Sequence, residues 1–344
     1  MQKKVVIVGG GIVGCMTAMV LHKQGYQVTI VERNQIASQT SGESSWAGAG
    51  ILFPLLPWNY LDSVNALTMQ GVNLYQEIGK ELLEETGIDA ELIQSGMLIL
   101  PPYEEERAKS WCTKNQLPYQ LVKSGFEPRL TEHEGSALWL PSVYQVRPPK
   151  LMLALRAWLE KNKVTLLEHT ELKPLAETQN LSSWETQTGE QLTAELFIVT
   201  SGAWSFELLR ETASQLNIKP MRGQILLYKP EKNLEHMVYK DGFYMVPRRD
   251  GYLLAGSTLE DVGFDPRTSE TVRSELQTKA EAILPVLRES PVIKHWSGLR
   301  PGTPNNLPTI GPHPNIPNLY LNTGHFRYGL TMAPASANLL ASLL

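Results

Sequence analysis

The sequence predicts a two-domain α/β protein, α+β across its two parts: one domain on a parallel βαβ core, the other mainly antiparallel β. Three observations predict it. A strand, a glycine turn, a helix and a second strand follow one another at the N-terminus. Short strands joined through Asp250-Gly251 follow Pro220. A second strand–glycine–helix arrangement closes the chain.

The first element is the apolar run Lys4–Val8, of strand length. It leads into Gly9-Gly10-Gly11-Ile12-Val13-Gly14, which fits G-x-G-x-x-G. A helical pattern runs through Val20 and Leu21, Gly25 follows, and Gln27–Val31 is a second strand ending at Glu32. Gly9 allows the tight turn, Gly11 lets backbone approach a pyrophosphate, and Gly14 lets helix and strand pack closely. The N–H groups and dipole of the helix start favour that anion. Glu32 stands 18 residues after Gly14, where an acid accepts hydrogen bonds from ribose hydroxyls. The unit reads as Rossmann-like and dinucleotide-binding. Glu32 argues against a 2′-phosphate, and the adjacent Arg33 softens that argument.

Residues 37–50 are rich in Ser, Gly and Ala, which suits a backbone lying against a flat ligand. Leu61, Val64, Leu67, Leu74, Tyr75, Ile78 and Leu82 fall at helical spacing and predict one long amphipathic helix ended by Gly87. Residues 97–100 read as a strand stopped by Pro101-Pro102. Pro148-Pro149 precede a helix carrying Leu151, Leu155, Trp158 and Leu159. Strands follow at 164–167 and 196–200, the latter running into Ser201-Gly202-Ala203-Trp204. Strands at 224–228, 243–248 and 252–257 come next, the last two joined by Asp250-Gly251, a hairpin signal. A helical stretch reaches Leu287. A strand at 292–295 enters a turn, Trp296-Ser297-Gly298-Leu299-Arg300-Pro301-Gly302, and residues 319–330 form the closing strand–glycine–helix segment.

Composition removes several function classes. The chain has 344 residues, 42% of them hydrophobic, and a net charge of -4, with no long basic run to suggest nucleic-acid binding. Its mean hydropathy is -0.19. Cys15 and Cys112 are too few for a disulfide framework and have no His cluster beside them for zinc. Cys15 is expected to pack in the first helix. No signal peptide precedes the first strand, and no apolar stretch reaches the about 20 residues of a membrane span. A cytoplasmic location is the resulting expectation.

Six segments, in order, carry a family resemblance. They are the glycine fingerprint with Glu32, Ser44-Ser45-Trp46-Ala47-Gly48-Ala49-Gly50, Ser201-Gly202-Ala203-Trp204, the Tyr244-Met245-Val246-Pro247-Arg248 strand, Gly298-Leu299-Arg300-Pro301-Gly302, and Gly324-His325-Phe326-Arg327. Together they resemble the FAD-dependent D-amino-acid oxidase superfamily, most closely its glycine oxidases of thiamine biosynthesis. The resemblance implies non-covalent FAD. It puts the pyrophosphate at Gly9, Gly11, Ile12, Val13 and Gly14, and the adenosine ribose at Glu32 and Arg33. Ser44, Ser45, Ala47, Gly48, Ala49, Gly50 and Leu52 go with the flavin side, Ala47 to Leu52 against the isoalloxazine, and Ser201, Gly202 and Trp204 also contact the cofactor. Gly324, His325, Phe326, Arg327, Tyr328, Gly329 and Leu330 face the pyrimidine edge.

The resemblance also implies a substrate, a small amino acid or amine held by its carboxylate. Arg300 matches the carboxylate-binding arginine and also neighbours the flavin; Tyr244 matches a tyrosine reaching the same carboxylate. Arg327 contacts substrate or flavin, or caps a carbonyl. The implied reaction is oxidative deamination of glycine and other small amines or D-amino acids. A hydride passes to flavin N5, the imine hydrolyses to an oxo acid and ammonia, and O2 reoxidises the flavin to give H2O2. A D-amino-acid dehydrogenase passing electrons to a quinone and a sarcosine oxidase-like enzyme are the alternatives. Tyr328 stands where relatives more often carry Asn, and Leu259 near where some place Met. The apolar segment Pro54-Leu55-Leu56-Pro57-Trp58 is read as packing or entrance, with a membrane contact as the other option. The expected domains are 1–88, 145–215 and 297–344 for FAD, and 89–144 and 216–296 for substrate. Homo-oligomerisation is left open.

Overall fold

The structure, a computed structural model, describes residues 2–176, 178–213 and 215–344. The N-terminal apolar run forms the strand Lys4–Val8 at the centre of a six-stranded sheet. Its neighbours are Gln27–Val31 and then Thr165–Leu167 on one side. Leu196–Val199 and then Leu319–Thr323 lie on the other. All these pairings are parallel; only the outermost strand, Thr309–Pro312, is antiparallel. The continuous apolar character of Lys4–Val8 follows from its position, since a central parallel strand is covered on both faces.

The helix Ile12–Lys23 packs against the C-terminal helix Gly329–Ala341, which packs in turn on the long helix Asp62–Thr86. That last contact is close: a Cβ on Gly71 would stand 2.0 Å from the Thr331 carbonyl oxygen. The long helix ends where expected, at Gly87 with φ +71°. Pro148 and Pro149 occupy the first turn of the helix Pro148–Lys161, where no N–H is needed.

The second sheet has eight strands, ordered Val292–Gly302, Lys219–Tyr228, Leu253–Gly256, Phe243–Pro247, Met237–Lys240, Met97–Ile99, Ala137–Leu140 and Gln120–Val122. All its pairings are antiparallel except Met237–Lys240 with Met97–Ile99. A small antiparallel sheet pairs Tyr144–Gln145 with Ile51–Leu52 on one side and Ile93–Gln94 on the other.

Two local expectations are corrected. The segment 296–302 is not a turn. It continues the strand Val292–Gly302, paired with Lys219–Tyr228 as far as Gly302 opposite Lys219. Pro301 faces Pro220, and this outer strand takes its remaining bond from the loop, with Leu299 N–H donating to Gly42 O at 2.8 Å. Proline is tolerated on such an edge, and Gly298 is there for closeness: its Cβ would meet that of Ala47 at 2.7 Å. The strand therefore crosses residue 297, where a domain boundary was expected. The hairpin at Asp250-Gly251 forms, but with positive φ only at Gly251, at +84°. Arg248 and Tyr252 close it, with Gly251 N–H donating to Arg248 O, which makes a three-residue loop with a bulge.

Between 90 and 140, where the pattern was mixed, the chain forms the helix Glu105–Lys114 and short strands. Among the described residues no helix is long and apolar enough to cross a membrane.

Candidate functional site

A cavity of about 360 Å³ is lined by residues of both large sheets. At one end lies the glycine turn. Gly9 has φ +111°, and a Cβ on Gly14 would fall 1.9 Å from the Gly9 carbonyl oxygen, so Gly14 is a packing glycine behind the wall. Gly11 differs: its Cβ would meet only the Ser45 hydroxyl, at 3.1 Å, and no backbone. Thr200 and Ser201 secure the turn from the next strand, their hydroxyls donating to Gly9 O at 2.8 Å and Val8 O at 2.9 Å.

Ile12 N–H, at the helix start, donates to Ser45 Oγ at 2.9 Å, which ties the Ser44–Ala47 helix to the start of the first helix. Glu32 accepts from Gly10 N–H at 2.8 Å and Asn34 N–H at 2.9 Å, one on each oxygen. Each oxygen keeps acceptor capacity for a ribose hydroxyl. Arg33 donates to Ser41 Oγ and lies 3.9 Å over the Trp204 ring, which is stacked on Phe264. Val13 and Gly202 complete this part of the wall.

Gly48, Ala49 and Gly50 line the middle of the cavity. Gly50 has φ +76°, and a Cβ there would fall 1.9 Å from Val146 O. Two expected neighbours stand behind this surface. Ala47 is buried against Gly298, with its carbonyl accepting from Trp296 Nε1, and Leu52 sits in the core beneath its strand. The sequence reading did not single out what holds the segment. The buried Arg248 guanidinium donates to Ala49 O at 2.7 Å, Val146 O at 3.1 Å and Gln145 Oε1 at 2.7 Å. Burial draws its pKa down to about 10.

Beyond the glycines, the wall includes Tyr244, Ser257, Arg300 and Arg327. Arg300 Nη2 donates to Ser257 Oγ at 2.8 Å and Nη1 to Thr258 O at 3.2 Å. Burial pulls its pKa below the usual arginine value; Tyr244 opposes the shift. Among the described residues neither Arg300 nor Arg327 has a carboxylate within ion-pair distance. Glu260, the acid next in line, is taken by Arg222 at 2.7 Å.

Gly324, with φ +81°, turns the chain from its strand into Phe326, Arg327, Tyr328, Gly329 and Leu330, all in the wall. His325 is buried there, and burial depresses its pKa to about 3, so it is neutral. Its Nε2 and the Asn322 Oδ1 have no partner among the described residues. Tyr328 donates to Leu55 O at 3.3 Å and packs edge-on against Tyr60. Phe53 and Leu55 line the cavity, while Trp58 is buried and donates to Glu104, so the Pro54–Trp58 segment both packs and borders the site. Leu259 is exposed and stands outside the wall.

The chemistry of this donor set suits an extended dinucleotide. A glycine cradle opens at one end beside an acid. Side-chain-free backbone follows in the middle. His325 and Asn322 border the same space. Among the described residues no His, Cys, Asp or Glu group could hold a metal ion. Both cysteines are free and buried, and Cys15 donates to Gly10 O.

Residues 4–343 match the DAO family, described as FAD dependent oxidoreductase. The chain belongs to this family of FAD-dependent oxidoreductases. It is therefore an FAD-dependent enzyme of the amino-acid oxidase class. It is 38% identical to glycine oxidase of Pseudomonas aeruginosa, over 100% of this chain and 95% of that protein. It is 31% identical to the bifunctional protein ThiO/ThiG of Nostoc sp., over 100% of this chain and 53% of that one. The crystal structure of glycine oxidase from Geobacillus kaustophilus superposes with a TM-score of 0.89 at 29% identity, covering 99% of this chain and 95% of that one.

Proposed function

We propose that the enzyme oxidises glycine and other small amines or D-amino acids to the oxo acid and ammonia, with O2 as final acceptor and H2O2 as product. The observation that carries this reading is Arg300. A guanidinium drawn largely out of water, held by Ser257 and Thr258 and with no carboxylate partner among the described residues, is costly without an anion beside it. A substrate carboxylate supplies the missing counter-charge through paired hydrogen bonds.

Bound FAD supplies the two-electron acceptor. The chain's own residues bind and orient. Arg300 takes the carboxylate, the Tyr244 hydroxyl adds a donor to it, and Arg327 adds a second positive charge on the same wall. Fixing the carboxylate fixes where the Cα–H points. The reading needs no side-chain base: the amine enters neutral, Cα loses a hydride, and water hydrolyses the imine. Ser45, Ile12 and the glycine turn hold the pyrophosphate, and Glu32 holds the ribose. In this reading residues 1–88, 145–215 and 297–344 hold FAD; 89–144 and 216–296, joined by the Arg300 strand, receive the substrate. A place in thiamine biosynthesis and in the cytoplasm belongs to the same proposal, supported by the ThiO/ThiG likeness and by two free thiols.

The test is to add glycine, sarcosine and D-alanine separately to the purified yellow protein without air. Bleaching of the flavin by these, and peroxide once air is admitted, is the expected result. Bleaching without peroxide would point to a dehydrogenase that passes electrons to a quinone. Bleaching only by bulky L-amino acids or non-amines would overturn the substrate assignment.

A further inference from the structure

We propose that Gly223 is a positioning residue for the carboxylate site: the space its side chain would fill is where the Arg300 guanidinium lies. The proposal rests on the reading of Arg300 given above and deepens it.

Gly223 sits inside the strand Lys219–Tyr228, opposite Gly298, and Arg300 pairs with Met221 two positions away. Met221 and Gly223 point to one face of the sheet, so Arg300 and Gly223 are diagonal neighbours on that face, within reach of a long side chain. A Cβ on Gly223 would stand 1.9 Å from Arg300 Nη1, 2.3 Å from Nη2 and 2.4 Å from Cζ. The obstruction is the charged head itself, and no backbone atom is among the three nearest. The guanidinium therefore lies flat on the Gly223 backbone, with its N–H groups reaching Ser257 Oγ and Thr258 O.

Backbone conformation gives no other reason for glycine here. Gly223 is an extended strand residue outside the positive-φ set, so alanine fits its φ and ψ. Glycine inside a strand is a destabilising choice. It is retained where something approaches closely, and here the thing that approaches is the group that binds substrate.

Adding one methyl group has a defined consequence. Ordinary carbon contacts need about 3.5–4 Å, so the head must lift from the sheet by on the order of 1.5 Å. Its bonds to Ser257 and Thr258 cannot both survive that move, and the carboxylate it holds moves with it. A misplacement of about 1 Å costs on the order of a hundredfold in rate when it shifts reacting atoms.

The experiment is a double-mutant cycle on the FAD-loaded enzyme. Wild type, Gly223→Ala, Arg300→Leu and the double variant are titrated with glycolate, followed by the flavin absorbance, and their melting temperatures are recorded. Gly223→Ala should weaken glycolate binding about tenfold or more, with the free flavin spectrum unchanged. In the Arg300→Leu background the same methyl should do nothing, because the head it displaces is gone. An equal loss in both backgrounds would overturn the proposal, since the methyl would then act through the fold. So would unchanged affinity in Gly223→Ala alongside a large loss in Arg300→Leu; that outcome leaves the carboxylate reading standing. No loss in Arg300→Leu would overturn the carboxylate reading itself. If Gly223→Ala folds poorly, the double variant decides: recovered folding without the arginine supports the proposal, and continued failure overturns it.

Discussion

At the Glu32 end of the cavity the groups suited to an anion are backbone N–H groups, on a turn whose shape three glycines and one helix start determine. At the Arg300 end they are side chains, gathered from strands and a turn spread between residues 244 and 327. The first end is contiguous: strand, turn, helix, strand and acid occupy residues 4 to 32. The second exists only once Lys219–Tyr228 pairs with Val292–Gly302 and lays Arg300 across Gly223. The difference teaches what a sequence shows. A site made by local backbone geometry leaves a local signature; a site made by sheet register leaves residue types without their spacing.

The two ends should fail differently when glycine is replaced. Gly14→Val places carbon atoms against the Gly9 carbonyl, where even a Cβ would stand at 1.9 Å. Both sides of that contact are backbone, so this variant should not yield a folded protein. At Gly11 an added Cβ meets only the Ser45 hydroxyl, and Gly11→Val tests that more open position. It should fold, with a wild-type far-UV spectrum, and be colourless because the side chain fills the pyrophosphate space. A yellow Gly11→Val protein would mean the phosphates lie elsewhere.

At the other end, Arg300→Leu should leave the protein yellow and folded while weakening glycolate. Removing one partner of a buried charge pair costs about 2–5 kcal/mol, so the loss should be on the order of 30-fold or more. Arg300→Lys should recover only part of it, since an ammonium lacks the planar fork. Equal affinities in wild type and Arg300→Leu would move the carboxylate to Arg327. Tyr244→Phe should be milder. It removes one hydrogen bond to a charged group, about 1.5 kcal/mol or on the order of tenfold. A steady-state assay should show this mainly in KM, and an unchanged KM would return Tyr244 to strand packing.

Legibility follows the same division. The N-terminal strands and the long helix ending at Gly87 were readable because period and punctuation are local. The run Gly298 to Gly302 was misread because glycine and proline normally mark turns; here they serve close packing and an outer edge. Gly223 stood just outside the strand read at 224–228, and its meaning depends on a partner 77 residues away. Arg248 is similar. It closes the strand read at 243–248, and the structure buries it on the carbonyls of Ala49 and Val146. Nothing in its neighbours' spacing announces that contact.

His325 lies on the wall between the two ends and gives the smallest effect, one that depends on pH. Burial depresses its pKa to about 3, against an ordinary value of 6.5. Between those values the unfolded chain binds a proton that the folded protein refuses. Stability therefore rises with pH across the window and falls as the solution is acidified through it. From pH 6.5 to 5.5 this one group should cost about 1 kcal/mol. Urea unfolding of wild type and His325→Gln at both pH values measures it. The variant should be less sensitive to acid by about that amount, whatever its stability at pH 6.5. His295 and His313 also have depressed pKa values and remain in both proteins, so their contribution cancels in the difference. An identical acid dependence in the two proteins would mean that His325 takes up its proton normally in the fold. The imidazole would then reach water in the folded protein, and burial would not be what sets its charge.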